Sequence, residues 1–240
     1  MSPKEEAFLR SPGARLQGAA STLALVIVAG LIPGCVTSRG ELKLEIPRSA
    51  QADRANGMTA VIATVRDRRV FEDKPSKPSI PSLGSGGAVD QVPEAIKQRA
   101  IARKRSNWGK AYGDILLEQG QTVESVARDI VAAALSSCGY TVRDRSSGAG
   151  KESMRVDVTL DKFWGWFNPG VGRTYLNTWT SMQIAVTRDG RTQRIPIDLR
   201  FNMNVIGMAA GRHWKMAFEG LLRDALAEVR VKLCGSMRYR

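Results

Sequence analysis

Three cysteines and one histidine are the residues of this 240-residue chain best suited to chemistry, and their spacing rules most of it out. Cys35, Cys138, Cys234 and His213 stand far apart, with none of the two-to-five-residue spacings that gather ligands around a metal. No serine sits in the Gly-x-Ser-x-Gly turn of a nucleophile elbow. Gly84-Ser85-Gly86-Gly87 is glycine-rich but has no Gly-Lys-Ser/Thr after it, so it is not a phosphate loop. His213, beside Trp214 at the start of a predicted helix, reads as a structural residue. With no catalytic, metal or cofactor constellation, the expectation is a protein that is not an enzyme. What remains is the chemistry of the thiols themselves.

Cys35 has the most informative setting. It follows 14 uncharged apolar or small residues, Ala19 to Ile32, and then Pro33-Gly34. Lys4, Arg10 and Arg15, offset by Glu5 and Glu6, precede the run. That is the layout of an export signal, and it falls short of the roughly 20 residues a spanning helix needs. The ending resembles the lipobox of bacterial lipoproteins, with aliphatic Ile32 at −3, small Gly34 at −1, then the cysteine; Pro33 at −2 is less usual. The resemblance implies cleavage before Cys35, a diacylglycerol on its thiol and an acyl chain on its amine. Two or three chains give stable anchoring where one does not. An ordinary signal peptide with an incidental cysteine, or a buried apolar helix, are the competing readings.

Cleavage there removes 34 of the 240 residues and leaves 206, room for one domain. Three basic and two acidic residues go with the leader, so the net charge changes from +13 to +12. In an exported protein that charge points away from nucleic acid and towards anionic lipid or an acidic envelope protein, or serves solubility alone. Cys138 and Cys234 would sit in an oxidising compartment and become a candidate disulfide. The alternative is two small buried free thiols.

The elements follow from periodicity. Residues 35–56 read as the lipidated N-terminus and a tether, within which Leu42, Leu44 and Ile46 alternate as a short edge strand would. Residues 57–235 read as a single domain and 236–240 as a tail. Thr59 to Val65 is a β-rich buried run, followed by a charged turn, Arg66-Asp67-Arg68-Arg69. Residues 72–93 hold four prolines and three glycines and predict a long loop. Glu94 to Arg105 is expected as a short basic helix.

Thr122 to Cys138 is an amphipathic helix capped by Thr122, with Gly139 at its left-handed end. Strands follow at Tyr140–Val142, Arg155–Leu160, Leu176–Val186 and Ile195–Val205, with a hairpin at Asp189-Gly190. Pro196 is expected near a strand start or on an edge. A helix from Trp214 to Cys234, closed by Gly235, completes the chain. If the two helices run side by side in one direction, Cys138 and Cys234 end as neighbours. The predicted class is α+β: an antiparallel meander-type sheet with two helices packed on one face, in the order β-α-β-β-β-β-α.

Two clusters are candidate contact surfaces. Phe163, Trp164, Trp166 and Phe167 precede Asn168-Pro169-Gly170, which predicts a turn and places rings near a loop tip. They either meet a membrane interface or partner, or fold back over the core. Arg103, Lys104, Arg105 and Trp108 belong to a basic stretch from Lys97 to Lys110 that is either a solvated face or a patch for anionic headgroups.

The chain also resembles the YajG-type lipoproteins of Gram-negative bacteria. The likeness is carried by Cys35, Val65-Arg66-Asp67-Arg68-Arg69, Gly113-Asp114-Ile115-Leu116-Leu117, and the Thr122–Leu135 helix with Gly139-Tyr140-Thr141-Val142. The late strands and final helix share it; the Pro/Gly loop, the basic stretch and the aromatic segment depart from it. It implies a non-catalytic accessory or scaffold lipoprotein on the periplasmic face of the outer membrane. Val36 at +2, not aspartate, fits that membrane by family analogy. The element order is also similar to ABC-transport auxiliary lipoproteins, which implies lipid binding as the alternative.

Overall fold

The computed structural model describes residues 40–48, 55–84, 88–105, 111–144 and 154–236, all within the compact unit Val36–Arg240. The predicted signal segment, Cys35 and Trp108 lie outside the described residues. The strands are β1 (Gly40–Leu42), β2 (Thr59–Asp67), β3 (Ala100–Arg105), β4 (Ala111–Leu117), β5 (Thr141–Asp144), β6 (Met154–Gly170), β7 (Arg173–Arg188) and β8 (Arg191–Ile206). The helices are α1 (Glu94–Lys97), α2 (Val123–Ser137) and α3 (Gly211–Ser236), with a 3₁₀ turn at Val89–Gln91.

Everything is assembled on β6, a strand of 17 residues. One edge carries the antiparallel meander expected from sequence: β7 pairs with β6 and β8 with β7 along their full lengths. Asp189 and Gly190 both have positive φ, at 50° and 71°, as a tight two-residue hairpin requires. The inward set is the predicted one, with Leu176, Thr178, Thr180, Met182, Ile184 and Val186 all buried.

The other edge of β6 forks. Its first half pairs in parallel with β2, from Ala60↔Met154 to Asp67↔Leu160. Its second half meets β3 in parallel at Ala102↔Gly165. Beyond β2 lies β5, also parallel; beyond β3 lie antiparallel β4 and then β1. Among the described residues the sheet is therefore eight-stranded and mixed, and the expectation of an antiparallel meander holds only for its β6–β7–β8 part.

Two further expectations need correction. The basic helix over 94–105 is helical only at α1; Ala100-Ile101-Ala102 is fully buried strand between the sheet's two covers, and that burial overrides helical propensity. Gly235 lies inside α3, which runs to Ser236. The short edge strand suggested by the alternation of Leu42, Leu44 and Ile46 is present, since β1 joins β4 from Gly40 and Leu44 is held to Gln121 by two hydrogen bonds of 3.0 and 2.9 Å.

The first half of the sheet is covered on one face by α2, starting at a Thr122–Ser125 capping box. It ends in a Schellman motif, with Tyr140 N–H on the Leu135 carbonyl and Gly139 N–H on that of Ser136. Helix α3 packs beside α2 and on β7 and β8. The opposite face of the second half is covered by the loop, whose Leu83 and Val92 join Ala100, Leu116 and Trp164 in a separate apolar cluster. The Pro/Gly-rich segment is a lid over the sheet.

Candidate functional site

The first two rings of the aromatic segment belong to the interior. Residues 163–170 continue β6, and Asn168-Pro169-Gly170 pairs with β7; the turn comes after, at Val171-Gly172. Strand alternation sends successive rings to opposite faces. Phe163 stacks on Phe218 of α3 at 5.3 Å between centroids. Trp164 points under the loop, its Nε1 donating to the Pro78 carbonyl at 3.2 Å and Phe71 meeting it edge-on. Phe163 and Trp164 are buried and not available to a membrane or partner, while Trp166 and Phe167 are half-buried. Of the two readings open in the sequence, a loop tip or rings folded over the core, Phe163 and Trp164 follow the second; Asn-Pro-Gly is a strong turn signal, and here a long antiparallel ladder overrides it.

The basic stretch is divided. Arg103 is buried and lies 3.8 Å from Asp114, itself buried on β4 and accepting from Gly84 N–H at 3.3 Å. Burial pulls the Arg103 pKa below its ordinary value, against the upward pull of Asp114. A buried arginine with a buried aspartate is an internal strut and cannot lie on headgroups. Lys104 is half-buried, with its ammonium beside Gly40. The side chain of Arg105 is outside the described residues, as is Trp108.

Cys138 and Cys234 are joined in a disulfide with 5.5 Å between Cα atoms. It links the C-terminal ends of α2 and α3, which run in the same direction on one face of the sheet.

Sequence reading missed Arg69. It reads as part of a charged turn but occupies the fork of the sheet, where β2 leaves β6 and β3 takes its place. Its Nη1 donates to the carbonyls of Ala100 at 2.5 Å and Phe163 at 3.1 Å. Its Nη2 donates to Asp67 at 2.7 Å and the Lys97 carbonyl at 2.8 Å, and Nε to the Asp67 carboxylate at 2.9 Å. All five guanidinium donors are used, so the group fills the gap that two diverging strands leave in the ladder. Trp179 was missed too. Register places it opposite Arg200, which lies 4.3 Å over its ring, with Lys162 at 5.3 Å and Asp198 accepting from its Nε1 at 3.2 Å. The signal was present, in one tryptophan on the polar face of an alternating strand.

His213 accepts the Ala210 N–H on Nδ1 at 3.0 Å at the start of α3, a helix-capping role consistent with the structural reading. Among the described residues no group of three or more His, Cys, Asp or Glu could hold a metal, and no helix is long and apolar enough to cross a membrane.

No family model and no curated protein matches the chain. Among solved structures, an uncharacterised protein superposes with a TM-score of 0.45 at 11% identity, over 82% of this chain and 99% of its own. A protein described as a putative lipoprotein from Caulobacter crescentus gives 0.33 at 9% identity, over 49% of this chain and 84% of its own. A neuraminyllactose-binding hemagglutinin homolog from Helicobacter pylori, also described as putative, gives 0.33 at 9% identity, over 82% and 94%. Scores and identities this low assign neither family nor activity. The YajG resemblance rests on the sequence segments alone.

Proposed function

We propose that the protein is an exported, membrane-anchored lipoprotein, held through acylated Cys35 and acting without catalysis as an accessory or scaffold on the periplasmic face of the outer membrane. The observation that carries this is the position of Cys35. It closes an uncharged run too short to span a bilayer, and only Val36–Arg39 separate it in sequence from Gly40, where β1 begins. A cysteine so placed tethers a domain closely. The disulfide suits an oxidising compartment. Among the described residues, His213 serves in a helix cap, Arg69 at the fork, and the Cys138 and Cys234 sulfurs are in their bond.

Tight packing supports a scaffold over a lipid carrier. A Cβ on Gly165 of β6 would fall 2.9 Å from the Phe218 ring, and one on Gly220 of α3 2.4 Å from that of Phe201. The α3–sheet seam is closed at both points. Metabolic labelling with a palmitate analogue, followed by membrane fractionation, tests the proposal. The full chain labels and sediments with outer membranes, and Cys35→Ala does not label; label that survives Cys35→Ala sinks it. Lipid mass spectrometry of the same purified protein separates the scaffold from a carrier, which would retain a non-covalent acyl lipid.

A further inference from the structure

Strand polarity brings several separate segments to one end of the sheet. Strand β6 ends there and turns into β7 at Val171-Gly172; β8 ends there at Ile206 and leads through Met208 into α3. Strand β3 runs towards it, parallel to β6, and β1 runs away from it, with Gly40 level with Gly165 through Ile115 and Ala102. At this end Val171 is 101% exposed, Ile206 93% and Met208 90%. They form one ridge, because Gly207 N–H bonds to the Gly172 carbonyl at 3.1 Å and the Gly207 carbonyl accepts from the Thr174 hydroxyl at 2.7 Å.

Three large apolar side chains fully in water on adjoining turns gain nothing for the fold and mark a contact surface. The segments that carry them, 168–175 and 203–213, contain no acidic residue, and exposed Arg173 and Arg212 flank the ridge. Lys104 adds a cation beside Gly40.

We propose that this ridge seats on an anionic phospholipid surface, with Val171, Ile206 and Met208 inserted at the headgroup boundary and Arg173 and Arg212 on the phosphates. The proposal rests on Cys35 being the membrane anchor. Five residue steps from Cys35 to Gly40 span at most about 17 Å, so an anchored chain must hold its Gly40 end near the bilayer. Apolar residues ringed by arginine and lysine suit an interfacial site. A lipid surface is therefore favoured over a protein partner, which needs no such proximity.

The test uses the full chain, acylated in its host and purified into vesicles of phosphatidylethanolamine and phosphatidylglycerol at 3:1. A carbene-generating hydrophobic photolabel and peptide mass mapping then report which side chains meet acyl chains. Val231 is the internal control, since it is 67% exposed but lies near the C-terminal end of α3, where the disulfide is. The peptides bearing Val171, Ile206 and Met208 label at least fivefold above the Val231 peptide. That ratio falls severalfold when phosphatidylcholine replaces both lipids, and falls to unity in the triple variant Val171→Ser, Ile206→Ser, Met208→Ser. Because all three positions are solvent-exposed, this variant keeps its melting temperature. Equal labelling of both ends, or no ridge label on protein whose Cys35 is acylated, overturns the docking surface and leaves the anchor standing. Protein lacking any acyl group on Cys35 overturns both.

Discussion

The two halves of the sheet, divided where β2 gives way to β3 along β6, are stabilised by different means. The half that ends at the disulfide is built from regular parts. It has alternating strands, a helix with a box at one end and a Schellman motif at the other, a two-residue hairpin and a cross-link. The half that begins at Gly40 relies on irregular ones. It has a loop lid, a buried Arg103–Asp114 strut, a guanidinium in the fork, and a glycine that admits Phe218 and Trp214 against the sheet. Regular parts stabilise by area and pattern. The irregular ones depend on single residues, so damage should be larger and more local at the Gly40 half.

The fork is where that contrast breaks most easily. Arg69→Met removes a guanidinium from three carbonyls and a half-buried carboxylate, and leaves those acceptors without solvent. Breaking a buried pair by removing one partner costs about 3–5 kcal/mol. Urea unfolding should show that loss, with hydrogen exchange accelerating in 97–105 well before β7. A loss under 1 kcal/mol means the fork closes without Arg69. Trp164→Ala comes next, at about 3–5 kcal/mol for a buried ring, less whatever the lid recovers by settling. Limited proteolysis within 72–93 should appear in this variant and not in wild type; without such cleavage, the loop is held by something other than Trp164.

The same contrast explains what was legible in the sequence. The first half of β6, strands β7 and β8 and helices α2 and α3 each have one face more buried than the other, so their period shows. Thr122 and Gly139 give their caps away, and the two cysteines their meeting place. Strand β3 has covers on both sides, so Ala100-Ile101-Ala102 shows no alternation, and the neighbouring Arg103-Lys104-Arg105 suggests a solvated helix. Nothing local tells that Arg103 will pair with Asp114 or that Arg69 will meet carbonyls from residues 97, 100 and 163, since those contacts arise from where the sheet divides. The exposed ridge escaped notice for a similar reason: Val171 and Met208 are 37 residues apart and ordinary until the turns that carry them adjoin.

Smaller effects fall on the regular half. Reducing the Cys138–Cys234 bond, which closes a sequence separation of 96, should cost about 2–4 kcal/mol, read as a lower melting temperature in dithiothreitol that Cys138→Ser with Cys234→Ser reproduces. Hydrogen exchange should loosen at the C-terminal turns of α2 and α3 and leave the fork protected. If the fork loosens equally, the halves are one cooperative unit and the division is only architectural. Thr122→Ala removes the side-chain acceptor for Ser125 N–H at the start of α2 and should cost about 1 kcal/mol.

The least effect, and the finest comparison, comes from one carboxylate in each half. On β6, Asp157 is held below the usual carboxylate pKa chiefly by its hydrogen bond from Arg155, with further help from Thr64 and against its own burial. At the other half Glu45, beyond β1, is lowered chiefly by its bond from Lys215 on α3. A carboxyl group whose folded pKa is depressed stabilises the fold above its unfolded pKa, near 4, and that contribution is lost as pH falls through the lower folded value. Asp157→Asn and Glu45→Gln should therefore each be less stable than wild type at pH 6, with the gap closing as pH drops below about 4. The two should part on adding salt. Glu45 is fully in water, so 1 M sodium chloride, with a Debye length of about 3 Å, should erase its gap at pH 6. Asp157 is partly covered and takes a directed hydrogen bond from Thr64 at 2.7 Å, so most of its gap should survive. Equal salt sensitivity would show that Asp157 acts through charge alone and that the β2–β6 seam owes it no geometry.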